Sequence, residues 1–247
     1  MINGGFNTFK TCDEAWTHWF EVLKTQAAGG MQAESRDGDV VGEVLCAVSC
    51  IADPTRNIIR SPDRKMPMRY AVGELLWYLS GTDSLGAICN FSKTWERMSD
   101  DGETVNSAYG NRIFSRFGFD QFDYCYRLLK EHPDSRQAVI HIKDPVDYTQ
   151  HPTKDVPCTV CLQYLVRDGA LHAVTYMRSN DIWMGFPYDV FSFTCFQMIL
   201  AFKLGVKVGT YTHISGSLHL YKRDYTTWLK SHGGTQNGNN EENPVQS

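Results

Sequence analysis

Arg167-Asp168-Gly169 separates two apolar runs, CLQYLV and LHAVTYM, and it constrains the fold more than any other short stretch of the chain. An Asp-Gly pair tolerates the positive φ angles of a two-residue hairpin turn, so the two runs are expected to pair as antiparallel strands. Apolar, valine-rich VVGEVLCAVSCI reads as a further strand, as do AVIHI and residues 210–221.

Helices are expected between these strands. Thr11 and Glu14 have the S/T-x-x-E spacing of a capping box, and Trp16, Trp19, Phe20 and Leu23 follow at helical intervals, which predicts a helix to about residue 27. Residues 68–79 read as an apolar helix stopped by Gly81, with Glu74 as its one acid. A lone carboxyl in such a helix is costly unless it has a partner or a task. Residues 120–130 and a short segment at 225–229 read as helices, and residues 189–204 as a long apolar one closed by Gly205, with Asp189 as its N-cap. With no internal repeat and no linker, this predicts a single α+β domain over residues 1–230 with a large mixed or antiparallel sheet. The Gly/Asn-rich residues 231–247 lack aromatics and are expected to be disordered.

A chain of 247 residues can bury a substantial core, and its formal net charge of −4 argues against binding a nucleic-acid backbone. No apolar run approaches the roughly 20 residues that span a bilayer. The N-terminus has no apolar secretory core either, so a cytoplasmic location with reduced thiols is expected.

Among the eight cysteines, Cys158 and Cys161 stand in a C-x-x-C spacing. On a strand they would point to opposite faces, which is unsuited to one zinc ion, and no second pair or histidine set completes a site. A strand rather than a helix follows them, which disfavours thioredoxin-like chemistry. No metal is expected. Packing suits Cys161; for Cys158, at the strand entrance after Pro157, packing and nucleophilic catalysis both stay open.

Eight segments in order then carry a resemblance. They are Glu74 in GELLWYL, Trp95 in KTWERM, Tyr109 in NSAYGNR, Arg136 in HPDSRQ, Pro157-Cys158, Arg178-Ser179-Asn180-Asp181, GFPYD ending at Asp189, and His219-x-Tyr221. Together, from about Arg36 to Tyr221, they resemble the thymidylate synthase family. The resemblance implies that family's fold, a sheet flanked by helices with one sheet face forming a homodimer interface. It implies that Cys158 adds to C6 of a pyrimidine nucleotide and that 5,10-methylenetetrahydrofolate supplies a one-carbon unit to C5. Arg36, Arg178, Ser179 and, from the other subunit, Arg136 would clamp the phosphate. His219 and Tyr221 would hold the sugar, Glu74 would anchor a proton-transfer network, Tyr109 would lie near the C5 proton, and Trp95 and Asp181 would line the folate cleft.

The chain departs from the uracil-specific pattern at informative places. Asp189 stands where those members carry Asn, and a carboxyl sharing a proton with N3 can accept from the N4 amino group of cytosine. Thr159, Met98, Ser217 and the C-terminal segment also differ, and these departures resemble phage deoxycytidylate hydroxymethylases, which trap the methylene with water. Gln137 replaces a second arginine, leaving the phosphate clamp one charge short. The resemblance therefore implies dCMP hydroxymethylation, with dCMP methylation and CMP hydroxymethylation as rivals.

Overall fold

The computed structural model describes residues 2–35, 38–149 and 153–232. In chain order the elements are β1 (Ile2–Phe9), α1 (Cys12–Ala28), β2 (Ala33–Ser35), β3 (Gly38–Ile51), α2 (Met68–Ser80), α3 (Leu85–Cys89) and α4 (Tyr109–Phe114). They continue with α5 (Gln121–Glu131), β4 (Val139–His141), β5 (Thr159–Arg167), β6 (Ala170–Met177), β7 (Asn180–Asp181), α6 (Phe186–Leu204), β8 (Lys207–Tyr221) and α7 (Lys222–His232). The eight strands form one mixed sheet of order β1-β3-β8-β6-β5-β4, with β2 paired to β3 and β7 to β8. This is the expected α+β architecture.

The hairpin forms as its turn residues require. Asp168 and Gly169 both take positive φ, 50° and 71°, and Arg167 pairs with Ala170. Thr11 caps α1 by accepting from the Glu14 N–H at 3.2 Å, while the Glu14 carboxylate reaches back one residue further, to the Lys10 N–H at 2.8 Å. The buried face of α1 carries Trp16, Trp19, Phe20 and Leu23. Both indole N–H groups are satisfied, Trp16 on the Ile182 carbonyl at 2.7 Å and Trp19 on the Ser49 hydroxyl at 2.8 Å. Each such side chain contributes roughly 1.5–3 kcal/mol by leaving water, and the hydrogen bonds keep the indole nitrogens from cancelling it.

The two sheet faces differ along the register. Ser49, His213, Thr175 and Leu162 lie side by side across β3, β8, β6 and β5, and all are buried beneath the helical layer. The adjacent row, Phe6, Val48, Ile214, Tyr176 and Cys161, faces the other way and stays partly or wholly exposed, Phe6 at 68% and Tyr176 at 40%. Cys161 thus belongs to the open face. The β5–β6 register slips between Thr159 and Cys161, so Cys158 lies beyond the irregularity and packs against the core.

The short elements β2, β7, α3 and α4 were not anticipated, and three further features differ from the sequence reading. β1 was not anticipated; it pairs in parallel with β3 over Ile2–Phe9, a long-range partnership that two glycines conceal locally. α6 starts at Phe186, three residues before Asp189, because Pro187 is compatible with a first helical turn. Asp189 therefore is not the N-cap; Gly185 holds that position, and the Asp189 carboxyl points to another partner. Finally, α7 spans Lys222–His232, so Ser231 and His232 are helical; the rest of the expected tail, 233–247, lies outside the described residues.

Candidate active site

Cys158 sits at the entrance of β5, half-buried, with its carbonyl accepting from the Arg178 N–H at 2.9 Å. The Arg178 guanidinium is locked from below. Its Nε donates to the Pro157 carbonyl at 3.0 Å and its Nη2 to the Val156 carbonyl at 2.9 Å, which leaves Nη2 3.7 Å from the Cys158 sulfur. A fixed guanidinium beside sulfur favours the thiolate. Arg178 and Ser179 occupy the link between β6 and β7 where the sheet bends. Gly216 on β8 permits this link, since a Cβ there would stand 3.0 Å from the Arg178 carbonyl.

Tyr109 begins α4 and is 8% exposed. Its hydroxyl accepts from the Thr159 N–H at 3.3 Å, one residue past Cys158. Burial raises its pKa well above the ordinary phenol range, and the negative charges of Cys158 and Asp189 push the same way. Tyr109 is therefore close enough to feel both the thiol and the carboxyl that were expected to share one substrate.

Glu74, 5% exposed on α2, has two phenols as companions one helical turn away on each side. Tyr70 donates to its Oε1 at 2.6 Å, and Tyr78 hydrogen-bonds it as well. Burial outweighs both donors and pushes Glu74 up to about 7. The Trp95 indole donates to the Tyr70 hydroxyl at 3.0 Å, and the Trp77 and Trp95 rings stand 5.3 Å apart. These aromatics, with the two indole planes tilted 60° to each other, pack beside a carboxyl that can exchange a proton near neutrality. Tyr70 and Tyr78 escaped the sequence reading, although their i−4 and i+4 spacing from Glu74 was the available signal.

Asp189 is buried and accepts on Oδ2 from the Asn180 side-chain amide at 2.8 Å. Burial raises its pKa well above the carboxylate range, and the Glu74 charge adds to the effect. The Asp181 carboxyl has partners within the chain. Its Oδ1 accepts from the Trp183 and Met184 N–H groups at 2.8 and 3.2 Å, and its Oδ2 lies 3.7 Å from Arg223. The carboxyl thus closes the turn into α6 and pairs with α7. Arg64, also missed, fastens the preceding loop to this turn by donating to the Trp183 carbonyl at 3.1 Å and the Tyr188 hydroxyl at 3.0 Å.

His219 and Tyr221 share one side of β8 with ring centroids 4.9 Å apart, and Asp181 pairs with His219 across β7 and β8. Arg136 is exposed and its guanidinium makes no hydrogen bond or ion pair among the described residues. It does not join Arg178 within this chain. Arg36 lies outside the described residues. Ser217, one of the departures, donates to the Glu43 carboxylate at 2.6 Å.

The fold and the site define a cysteine-centred α+β protein whose thiol lies beside a fixed cation, with two buried acids, Glu74 and Asp189, whose pKa values are raised by burial. Comparison with known proteins agrees. The sequence model of thymidylate synthase matches residues 19–232, and the chain belongs to that family. Its sequence is 32% identical over 219 residues to the deoxyuridylate hydroxymethyltransferase of Bacillus phage SP01, covering 84% of this chain and 57% of that protein. The chain thus spans little more than half the length of that relative. The fold matches thymidylate synthase of T4 phage with a TM-score of 0.70 at 19% identity, covering 91% of this chain and 82% of that one. It also matches the thermostable thymidylate synthase A of Bacillus subtilis, with a TM-score of 0.71 at 22% identity, covering 89% and 84%.

Proposed function

We propose that the chain transfers a one-carbon unit to C5 of dCMP, converting dCMP, 5,10-methylenetetrahydrofolate and water to 5-hydroxymethyl-dCMP and tetrahydrofolate. The observation that carries the choice of base is Asp189, a buried, protonatable carboxyl near Tyr109, whose hydroxyl bonds the residue after Cys158. A carboxyl that keeps its proton donates to the cytosine N3 acceptor while its other oxygen accepts from the N4 amino group.

Cys158, with the Arg178 guanidinium beside its sulfur, adds to C6 and makes C5 nucleophilic. The folate supplies the carbon at the oxidation level of formaldehyde. Trp95, backed by the buried Trp77, offers an apolar surface to a flat heteroaromatic ring, and Trp95, Glu74 and Asp181 are the residues that would hold it. Tyr109 takes part in removing the C5 proton. Glu74, with a pKa near 7, relays protons through Tyr70 and Tyr78. Water adds to the exocyclic methylene on the base, and loss of Cys158 from C6 restores the ring. Arg178, Ser179, Arg36 and the second subunit's Arg136 clamp the phosphate, and His219 and Tyr221 hold the sugar. The exposed apolar row through Phe6 and Tyr176 is the face a second copy would cover.

A second reading, hydroxymethylation of dUMP, has its own support, because the SP01 relative is named for deoxyuridylate. Mass spectrometry of dCMP, dUMP and CMP incubated with the protein and 5,10-methylenetetrahydrofolate separates them. A gain of CH₂O on dCMP supports the first reading and the same gain on dUMP the second. A gain of CH₂ with dihydrofolate means that hydride, not water, completes the reaction.

A further inference from the structure

Behind Asp189 runs a buried polar chain. Asn180, 2% exposed, donates through Nδ2 to Asp189 Oδ2 at 2.8 Å. Its Oδ1 meets His213 Nε2 at 3.0 Å and the Ser215 hydroxyl at 3.4 Å. His213 Nδ1 in turn meets the Tyr211 hydroxyl at 2.9 Å. His213 and Tyr211 are fully buried, and the Phe186 ring packs edge-on against the imidazole with centroids 5.1 Å apart. Asn180 and His213 are 33 residues apart and belong to β7 and β8. None of the groups in this polar chain takes a step in the proposed reaction.

Its direction follows from the donor inventory. An amide whose nitrogen faces a carboxyl presents only an acceptor to the other side, so His213 carries its proton on Nε2 and accepts on Nδ1 from Tyr211. Burial holds the imidazole neutral, with its pKa lowered to about 3. A neutral imidazole has one donor and one acceptor, which is what this chain requires.

We propose that Asn180, oriented by His213, is a specificity-positioning residue that fixes which oxygen of Asp189 carries the proton. Oδ2 accepts from Asn180, so a proton on Asp189 resides on Oδ1, which makes no hydrogen bond among the described residues. The carboxyl then offers one donor and one acceptor in fixed places. Cytosine needs a donor toward N3 and an acceptor toward its amino group; uracil needs the reverse. An acid free to exchange its proton between oxygens serves either base, whereas one held from behind serves one. The groups facing Asp189 from its surroundings are Glu74 and Tyr78 of α2, Tyr109 of α4, Asp181 of β7 and Tyr211 of β8. Asn180 is the one whose hydrogen bond to the carboxyl selects between its two oxygens.

This rests on Asp189 reading the base, and the test separates the two ideas. Wild-type protein and the Asn180→Leu variant are assayed with 5,10-methylenetetrahydrofolate for kcat/KM on dCMP and dUMP from about pH 5.5 to 9. The wild-type preference alone judges the cytosine reading, and a preference for dUMP overturns that reading only. The inference expects Asn180→Leu to reduce the discrimination between the two bases about tenfold or more, whichever is preferred, and to move the Asp189 limb of the pH profile upward. His213→Gln, whose amide can still donate to Asn180, should keep the discrimination, and His213→Phe should lose it. These two decide the matter if Asn180→Leu does not fold. Equal losses on both bases with an unchanged pH profile would show a structural role only and overturn the inference, as would a His213→Phe variant with wild-type discrimination.

Discussion

Arg178 lies 3.7 Å from the Cys158 sulfur, held there by two carbonyls of the segment that carries the cysteine, those of Val156 and Pro157. The cation cannot swing away without breaking bonds to the nucleophile's own backbone neighbours. Replacing Arg178 with Ala should slow alkylation of Cys158 by iodoacetamide at neutral pH by about tenfold and shift its pH dependence upward. Arg178→Lys should recover charge but not the two-carbonyl anchoring, and so recover only part of the rate. The remaining thiols set the background, which Cys158→Ala measures directly. An unchanged alkylation rate in Arg178→Ala would remove the arginine from thiol activation.

Cys158→Ala should abolish turnover and leave nucleotide binding within about threefold of wild type, because the phosphate and sugar contacts do not pass through sulfur. Calorimetric titration with dCMP, paired with the product assay, tests both halves. Residual turnover would overturn covalent addition at C6.

Asp189→Asn exchanges a proton-sharing acid for an amide, and an amide both donates to O4 and accepts from N3–H of uracil. The variant should shift preference from dCMP toward dUMP by about a hundredfold or more in the kcat/KM ratio. Comparison of the two substrates at one pH suffices. A ratio that does not move would separate Asp189 from base recognition.

What the sequence revealed follows the range of the forces involved. Asp168-Gly169 encodes its turn within two residues, and the Thr11–Glu14 spacing encodes a cap within one helical turn, so both were legible. The order of Glu74, Tyr109, Cys158, Arg178 and Asp189 was legible through resemblance, and the fold brings Glu74 and Asp189 close enough to feel each other's charge. β1 was not legible, because Gly4 and Gly5 weaken its pattern and only the parallel pairing with β3 makes it a strand. The start of α6 was misplaced because Gly185-Phe186-Pro187 reads equally as a turn. Arg112 and Asp147, a fully buried ion pair 2.8 Å long, and the Asn180–His213 contact carry no local signature at all. Partners 33 or 35 residues apart are chosen by the sheet and the packing around it.

Glu74 gives the site a pH signature whose sign is fixed. Its pKa rises from 4.5 to about 7 on folding, chiefly through burial, so the native state binds more protons than the unfolded chain between those values. Stability from this group is therefore greatest below pH 4.5, falls as pH rises through that window, and is constant above it. The full loss is about 3 kcal/mol. Glu74→Gln removes the ionisation, so its melting temperature relative to wild type should rise between pH 5 and 8, as scanning calorimetry at several pH values would show. Its kcat should fall about a hundredfold or more, since proton relay goes with the carboxyl. A melting-temperature difference that stays flat with pH would mean Glu74 is not held protonated by burial.

The exposed row on the sheet sets the last expectation. Phe6 at 68% and Tyr176 at 40% exposure, with Val48 and Ile214 between them, make an apolar stripe across four strands that one chain leaves uncovered. The Arg136 guanidinium is exposed and has no hydrogen bond or ion pair among the described residues, so a two-fold partner that covers the stripe could use it to complete the phosphate clamp. Sedimentation should then show a dimer, and Tyr176→Glu should weaken it by placing a charge in the dry layer. A complementation assay tests the shared site more sharply. Cys158→Ala and Arg136→Ala proteins should each be inactive or nearly so. Mixed after partial denaturation and refolding, they form heterodimers in which one site has both Cys158 and the partner's Arg136. Random pairing makes half the dimers mixed, with one of two sites intact, so activity should return to roughly a quarter of wild type. Failure to recover activity, in the presence of confirmed heterodimers, would mean that Arg136 does not act across the interface.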